Sequence, residues 1–114
     1  MFIIKIILKW IILAAAVVLA AHVVPGIAVV SWTTALIVGL VLGFINTFIK
    51  PILAVLSIPI NILTLGLFGL VLNALLFWIA AYLVPGFTIA TFVAALLGSI
   101  LVSVVMWLAH FFID

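Results

Sequence analysis

Apolar stretches long enough to cross a lipid bilayer run through almost the whole chain, and they constrain its fold more than any other feature. Of the 114 residues, 74% are apolar and 4% are charged. A soluble domain carries roughly one-quarter charged residues. Even such a domain has too few polar atoms to cover its whole exterior, so this chain has far too few to face water. The sequence therefore predicts an all-α integral membrane protein, because helices satisfy their own backbone hydrogen bonds inside lipid.

Proline and glycine residues divide the chain into four apolar stretches. Each has about the 17 to 25 residues that a helix needs to cross the hydrocarbon layer. We expect four transmembrane helices within a single membrane domain, 1–114, at about 6–24, 32–49, 62–84 and 92–112.

The first stretch also has features of a cleavable secretory signal, because Lys5 and Lys9 precede an apolar run that contains three consecutive alanines. The run continues to Val24, beyond a typical signal core, and it has a counterpart later in the chain. We therefore favour a helix that is retained.

A short segment, 51–61, separates the second and third stretches. As a helix its 11 residues would reach about 16 Å, which is too short to cross the membrane. Pro51 is suited to open a short helix and Pro59 to end one. We expect the segment to lie along the interface or to re-enter the membrane; the alternative is a kinked extension of the second or third helix.

An internal repeat predicts two copies of one helical hairpin, at about 6–49 and 62–112. Val24-Pro25-Gly26 recurs 60 positions later as Val84-Pro85-Gly86, in a chain with only 4 prolines. Each copy holds two spans, so both copies enter the membrane from the same side and are parallel in orientation. We expect the two Val-Pro-Gly segments to form turns between the helices.

The positive charges predict the orientation. Lys5, Lys9 and Lys50 all fall on one side if both termini and the 51–61 segment are cytoplasmic. We therefore expect a multi-pass protein of a bacterial cytoplasmic membrane with both Val-Pro-Gly turns outside.

The titratable residues argue against an enzyme, because catalysis and metal binding need such groups to converge. His22 and His110 fall at opposite ends of the predicted helices, Asp114 is the only acid, and cysteine is absent. The net charge of +2 is too dispersed for nucleic acid. We expect no cofactor and no metal; the lipid bilayer is the expected partner, followed by further copies of the chain, and the sequence names no protein partner.

Small residues recur at every fourth position on the second and fourth stretches, a spacing that lets neighbouring helices approach closely. They are Ala35, Gly39 and Gly43, and 60 positions later Ala95, Ser99 and Ser103. We expect these two faces to meet within the bundle; the alternative is that they face lipid.

Asparagine is costly in hydrocarbon unless its amide finds partners. Asn73 falls midway along the third stretch, on a face shared with Gly66 and Gly69. We expect it to point inward and to form a hydrogen bond with Ser99 or Ser103.

Nearer the cytoplasmic end, we expect Asn46, Lys50 and Asn61 to form a polar cluster. Helix contact or interfacial solvation explains such a cluster better than a ligand or ion site, which is the alternative.

The sequence resembles phage holin superfamily IV, the mycobacterial-type holins with four membrane spans. The likeness covers nearly the whole chain and is carried by the two Val-Pro-Gly turns and by Gly43-Phe-Ile-Asn46, Lys50-Pro51-Ile52-Leu53, the 59–68 segment and Asn73-Ala74-Leu75. It implies a four-helix inner-membrane protein that permeabilises the membrane. Two hypotheses follow: copies assemble to open a lesion, or the protein is a non-conducting structural or regulatory component that acts on lipid or on a partner protein, for example in envelope stress.

Overall fold

The computed structural model describes residues 2–64 and 66–113, and most of them are helical. A π-helical turn, Ile45–Ile49, joins the second helix to the third. The helices are α1 Phe2–Val23, α2 Trp32–Phe44, α3 Lys50–Leu56, α4 Ile58–Leu63, α5 Leu67–Leu83 and α6 Phe92–Ile113, and the strands are β1 Ile27–Val29 and β2 Phe87–Ile89. Asp114 lies outside the described residues.

Three continuous helices of the described chain are long and apolar enough to cross a membrane. They are α1, α6 and the 25-residue run Trp32–Leu56 that α2, the π-turn and α3 form together. The fourth apolar helix, α5, has 17 residues and a length of about 26 Å. The third predicted span is therefore shorter than expected, because 62–64 belong to α4 and the turn that follows it.

The segment between the second and third spans differs from the preferred expectation of an interfacial or re-entrant segment. Its first part, through Leu56, continues the second span, which was the alternative. Pro51 has no amide hydrogen and would crowd the carbonyl group four residues earlier in a regular α-helix. The π-turn Ile45–Ile49 lies at this place and widens the helix locally. The helix ends at Ser57, and α4 has Pro59 in its first turn, where a missing amide costs no bond.

Helix α1 lies at the centre of the packing. It packs along both α2 and α6, and α6 also packs along α5, whereas α2 and α5 contact each other less. The interior is filled mainly by small and β-branched side chains that are completely buried, among them Ala14, Val17, Ala20, Ala35, Val38, Ala80 and Ala95. Such residues let helix backbones approach closely, so that van der Waals contact replaces the hydrophobic driving force that lipid does not supply.

Both Val-Pro-Gly segments form turns, as expected. The amide of Ile27 donates to the Val24 carbonyl at 3.4 Å, and the amide of Phe87 donates to the Val84 carbonyl at 3.3 Å. Gly26 and Gly86 have φ angles of +94° and +89°. Proline followed by a left-handed glycine is the signature of a type II turn, so each motif reverses the chain immediately after a helix.

The residues after these turns pair as a two-stranded antiparallel ribbon, which the sequence analysis did not predict. Ile27 lies opposite Ile89, and Val29 lies opposite Phe87. The side chains of Ile27, Phe87 and Ile89 are buried and close this end of the bundle. Three-residue strands are too short to show an alternating pattern, and only the meeting of the two turns brings them together.

Gly98 lies at a close approach between this ribbon and α6. A Cβ atom at Gly98 would run into Ile27 Cδ1 and would lie 2.9 Å from Phe77 Cε2. The ring of Phe77 packs edge-on against Phe87 at 5.6 Å between centroids. Gly98 was not among the predicted packing residues, because it falls next to the stripe of small residues rather than on it.

Candidate functional site

A polar cluster lies between three helices, with Lys50 and Asn73 partly buried and Ser103 exposed. Lys50 Nζ, at the start of α3, donates a hydrogen bond of 2.7 Å to Asn73 Oδ1 on α5. Asn73 Nδ2 donates to Ser103 Oγ at 3.0 Å and to the Ser99 carbonyl at 3.4 Å, both on α6. The expected contact of Asn73 with Ser99 and Ser103 is confirmed. The Asn73 side-chain oxygen accepts from Lys50, and its nitrogen donates to α6.

A small cavity adjoins the cluster. Its volume is about 20 Å³, and its polar lining comes from Asn46, Asn73, Ser99 and Ser103. A cavity of roughly 10–15 Å³ already accommodates a water molecule that has polar partners. The space beside Asn73 therefore suits a single water and is too small for an aqueous path.

The prediction that Asn46, Lys50 and Asn61 form one polar cluster is wrong. Lys50 reaches Asn73, because the continued helix carries its side chain toward α5. Asn61 lies elsewhere, on α4, where its Nδ2 is 3.4 Å from Ser57 Oγ. The Oδ1 atom of Asn61 is buried and has no hydrogen-bond partner among the described residues.

The two small-residue stripes pack, but not against each other as we expected. A Cβ at Gly39 would lie 3.2 Å from Trp10 Cδ1 and 3.4 Å from the Ala14 amide nitrogen, so this face of α2 packs on α1. Trp10 Nε1 also donates to the Leu36 carbonyl at 2.8 Å. On α6, Ser99 faces α5. Each stripe therefore packs within its own helical hairpin.

Three of the glycines assigned to helix packing have other surroundings. A Cβ at Gly43 would meet nothing within 4 Å, and the residue borders an open groove. Gly66 lies in the turn before α5 with a φ of +87°, and not on a packing face. A Cβ at Gly69 would lie 3.3 Å from Asn61 Oδ1, so this glycine accommodates an α4 side chain.

The chemistry available to the cluster is hydrogen bonding around one positive charge. Within residues 2–64 and 66–113, no group of three His, Cys, Asp or Glu side chains comes together that could hold a metal ion. Lys50, Asn73 and Ser103 link three helices by charge-assisted and neutral hydrogen bonds, which are stronger when one partner is ionised.

The long apolar helices and the polar side chains that join them define a multi-pass α-helical membrane protein. The chain belongs to the family described as mycobacterial 4 TMS phage holin, superfamily IV, whose sequence model matches residues 4–108. The resemblance seen in the sequence motifs is thereby confirmed.

Two similar proteins come from Streptomyces coelicolor and Bacillus subtilis. An uncharacterized protein of Streptomyces coelicolor, SCO3922, is 44% identical over 84 residues, which cover 70% of this chain and 67% of that protein. The uncharacterized membrane protein YvlD of Bacillus subtilis is 35% identical over 82 residues, which cover 71% of this chain and 69% of YvlD. No solved structure matches the chain.

Proposed function

We propose that the protein is a non-enzymatic component of the bacterial cytoplasmic membrane, closed as a single chain, that permeabilises the membrane only when several copies assemble. The main support for this proposal is the polar cluster. Asn73 accepts a hydrogen bond from Lys50 and donates one to Ser103, and a cavity of about 20 Å³ lies beside them. Conducting pores need polar groups or charges arranged along a water path. Here the intramembrane polar groups serve helix contact.

The second element of the proposal is that the chain consists of two repeated hairpins, 6–49 and 62–112, within one membrane domain. The backbone hydrogen bonds of the ribbon support it: Val30 donates to Gly86 at 3.0 Å, and Ala90 donates to Gly26 at 2.8 Å. Val30 and Gly26 of the first hairpin correspond, at an offset of 60, to Ala90 and Gly86 of the second, so the two bonds join equivalent positions with the hairpins exchanged. Such an exchange of equivalent bonds is what two hairpins related by a two-fold axis along the membrane normal would make.

The alternative function is a non-conducting structural or regulatory component that acts on lipid or on a partner protein. A mainly apolar groove beside Gly43 favours it, because such a groove can hold a lipid chain or an apolar segment of a partner without opening a path for ions. The two functions differ in one observable, the ion permeability of the membrane as the number of copies rises.

Graded expression in a bacterial host tests the first function. We expect no depolarisation and no dye entry at low abundance, followed by an abrupt loss of membrane potential above a threshold, because opening requires association of closed chains. Membrane potential and dye entry are measured together with the amount of protein in the membrane. Depolarisation proportional to abundance from the lowest level would contradict closure of the single chain, and intact potential at every level would favour the alternative.

Cysteine labelling tests the proposal that both termini face the cytoplasm. The chain has no cysteine, so a single introduced cysteine is the only thiol that the reagent can label. We choose Ala28 and Thr88, which are exposed on the ribbon, rather than Ser31 and Thr91, whose hydroxyl groups accept hydrogen bonds from the first turns of α2 and α6.

An impermeant thiol reagent should label Ala28→Cys and Thr88→Cys in intact cells. It should label Phe112→Cys, at the exposed end of α6, only after the membrane is opened. Labelling of Phe112→Cys in intact cells would reverse the orientation.

A further inference from the structure

A groove of about 630 Å³ lies between α1, the α2 end of the second span and α6. This volume is within the range of roughly 300–1,000 Å³ typical of ligand sites. Its walls are mainly apolar, and Leu13, Leu40, Phe44 and Met106 contribute to them. Lys9 and His110 also line it, close to the N-terminal end of α1 and the C-terminal end of α6.

The groove passes beside Gly43, which has no side chain to narrow it. A Cβ there would meet nothing within 4 Å, so the glycine is not required for contact between helices. Gly39, one turn earlier, packs directly on Trp10. At the matched positions of the second hairpin, Asn73, Ser99 and Ser103 fill the corresponding region with polar side chains. The first hairpin has Leu13, Gly39 and Gly43 instead, and an open space.

We propose that this groove binds one phospholipid with an anionic headgroup. An acyl chain would occupy the apolar part beside Gly43, and the phosphate would lie at Lys9 and His110. Lysine near a helix end extends its ammonium group toward the interface, where phosphates lie. Lys9 already makes an interaction within the protein. Its ammonium group has three hydrogen-bond donors, so it can also donate to a phosphate oxygen.

Charge selects a lipid over a second copy of the chain as the occupant. Lys9 lines the groove together with its apolar side chains, and an ammonium group attracts a further anionic ligand. The only acidic side chain in the sequence is Asp114, so the membrane-embedded face of another copy would offer apolar side chains and no anion. An anionic lipid supplies both parts, an apolar tail and a phosphate at the interface.

The test uses the full chain reconstituted in vesicles of equimolar phosphatidylglycerol and phosphatidylcholine, then extracted in mild detergent. Phospholipid that remains bound is counted by mass spectrometry for the wild type and for two pairs of variants. Gly43→Leu fills the groove, and Ala15→Leu introduces the same side chain at an exposed position of α1. Lys9→Gln removes the charge at the groove, and Lys5→Gln removes one from an exposed position of the same helix.

We expect the wild type to retain phosphatidylglycerol in preference to phosphatidylcholine. Gly43→Leu should lose the retained lipid, whereas Ala15→Leu should not. Lys9→Gln should lower the preference for phosphatidylglycerol about five-fold, the effect of one lysine near an anionic surface, and Lys5→Gln should leave it unchanged.

Equal retention by Gly43→Leu and wild type would overturn the site, as would equal effects of the two lysine variants. A change in oligomeric size with Gly43→Leu at unchanged lipid content would identify the groove as a contact between copies and would also overturn it. If Gly43→Leu does not fold, the lysine pair decides. Lipid retention is measured without reference to permeability, so this result does not depend on the assembly proposed above.

Discussion

Replacing Gly98 by alanine is expected to destabilise the helical bundle by about 1–3 kcal/mol, the usual effect of forcing one more carbon into a filled core. The added Cβ would run into Ile27 Cδ1 and would lie 2.9 Å from Phe77 Cε2. Ile27 and Phe77 are both more than nine-tenths buried, so neither can move aside without disturbing the ribbon or its contact with Phe87. The measurement is the free energy of unfolding in mixed micelles titrated with a denaturing detergent.

Gly43→Ala is the matched control for this prediction, because it makes the same change on an open helix surface. It should stabilise the protein by about 0.5–1 kcal/mol, the conformational cost of glycine in a helix. Shortening the opposing side chain should also help: Ile27→Val removes the Cδ1 atom, so the double variant Gly98→Ala with Ile27→Val should recover part of the loss. Similar stabilities of Gly98→Ala and Gly43→Ala would show that the ribbon does not close against α6 as described.

The second large effect is expected from Asn73→Leu, which removes the side chain that links α3, α5 and α6. A hydrogen bond between helices in a membrane contributes about 0.6 kcal/mol on average, and one to a charged group about 1.5–3 kcal/mol. Asn73 makes both kinds, to Ser103 and to Lys50. We therefore expect Asn73→Leu to destabilise the protein by about 2–3 kcal/mol, more than an isolated asparagine contact would.

Two further variants divide this effect between the partners of Asn73. Ser103→Ala should lose only the contact between helices, about 0.6 kcal/mol. Combining Asn73→Leu with Lys50→Leu should restore stability relative to Asn73→Leu alone, because replacing both partners by apolar groups leaves no charge without an acceptor. If the Lys50 side chain turns to the interface instead, Asn73→Leu will cost no more than Ser103→Ala, and the central role of Lys50 in the cluster would be wrong.

Residues of the groove and of the polar cluster correspond at an offset of 60 positions. Where the later segment has Asn73, Ser99 and Ser103, the earlier one has Leu13, Gly39 and Gly43. The later set forms side-chain hydrogen bonds between helices, and the earlier set lines an open groove. The stability variants test the first half, and the lipid-retention variants test the second.

The sequence by itself determined the class of the protein and the positions of its turns. A chain with 4% charged residues has too little polar surface to face water, and its apolar stretches have the length of membrane-spanning helices, which satisfy their own backbone hydrogen bonds in lipid. The two Val-Pro-Gly turns could also be predicted, because proline fixes a negative φ and the glycine after it can adopt the positive φ that a type II turn requires. The contact of Asn73 with Ser99 and Ser103 followed from helix periodicity and from the cost of a bare amide in hydrocarbon.

The tertiary structure alone decided where each polar and small side chain finds its partner. The π-turn before Pro51 and the continuation of the helix to Leu56 bring Lys50 to Asn73 and leave Asn61 apart. The pairing of β1 with β2 brings Ile27 to Gly98, two residues far apart in the chain. Backbone preferences and the cost of burying a polar group are local properties, so they can be predicted from the sequence. The distance between two helix faces depends on every residue packed between them, so no local sequence pattern predicts it.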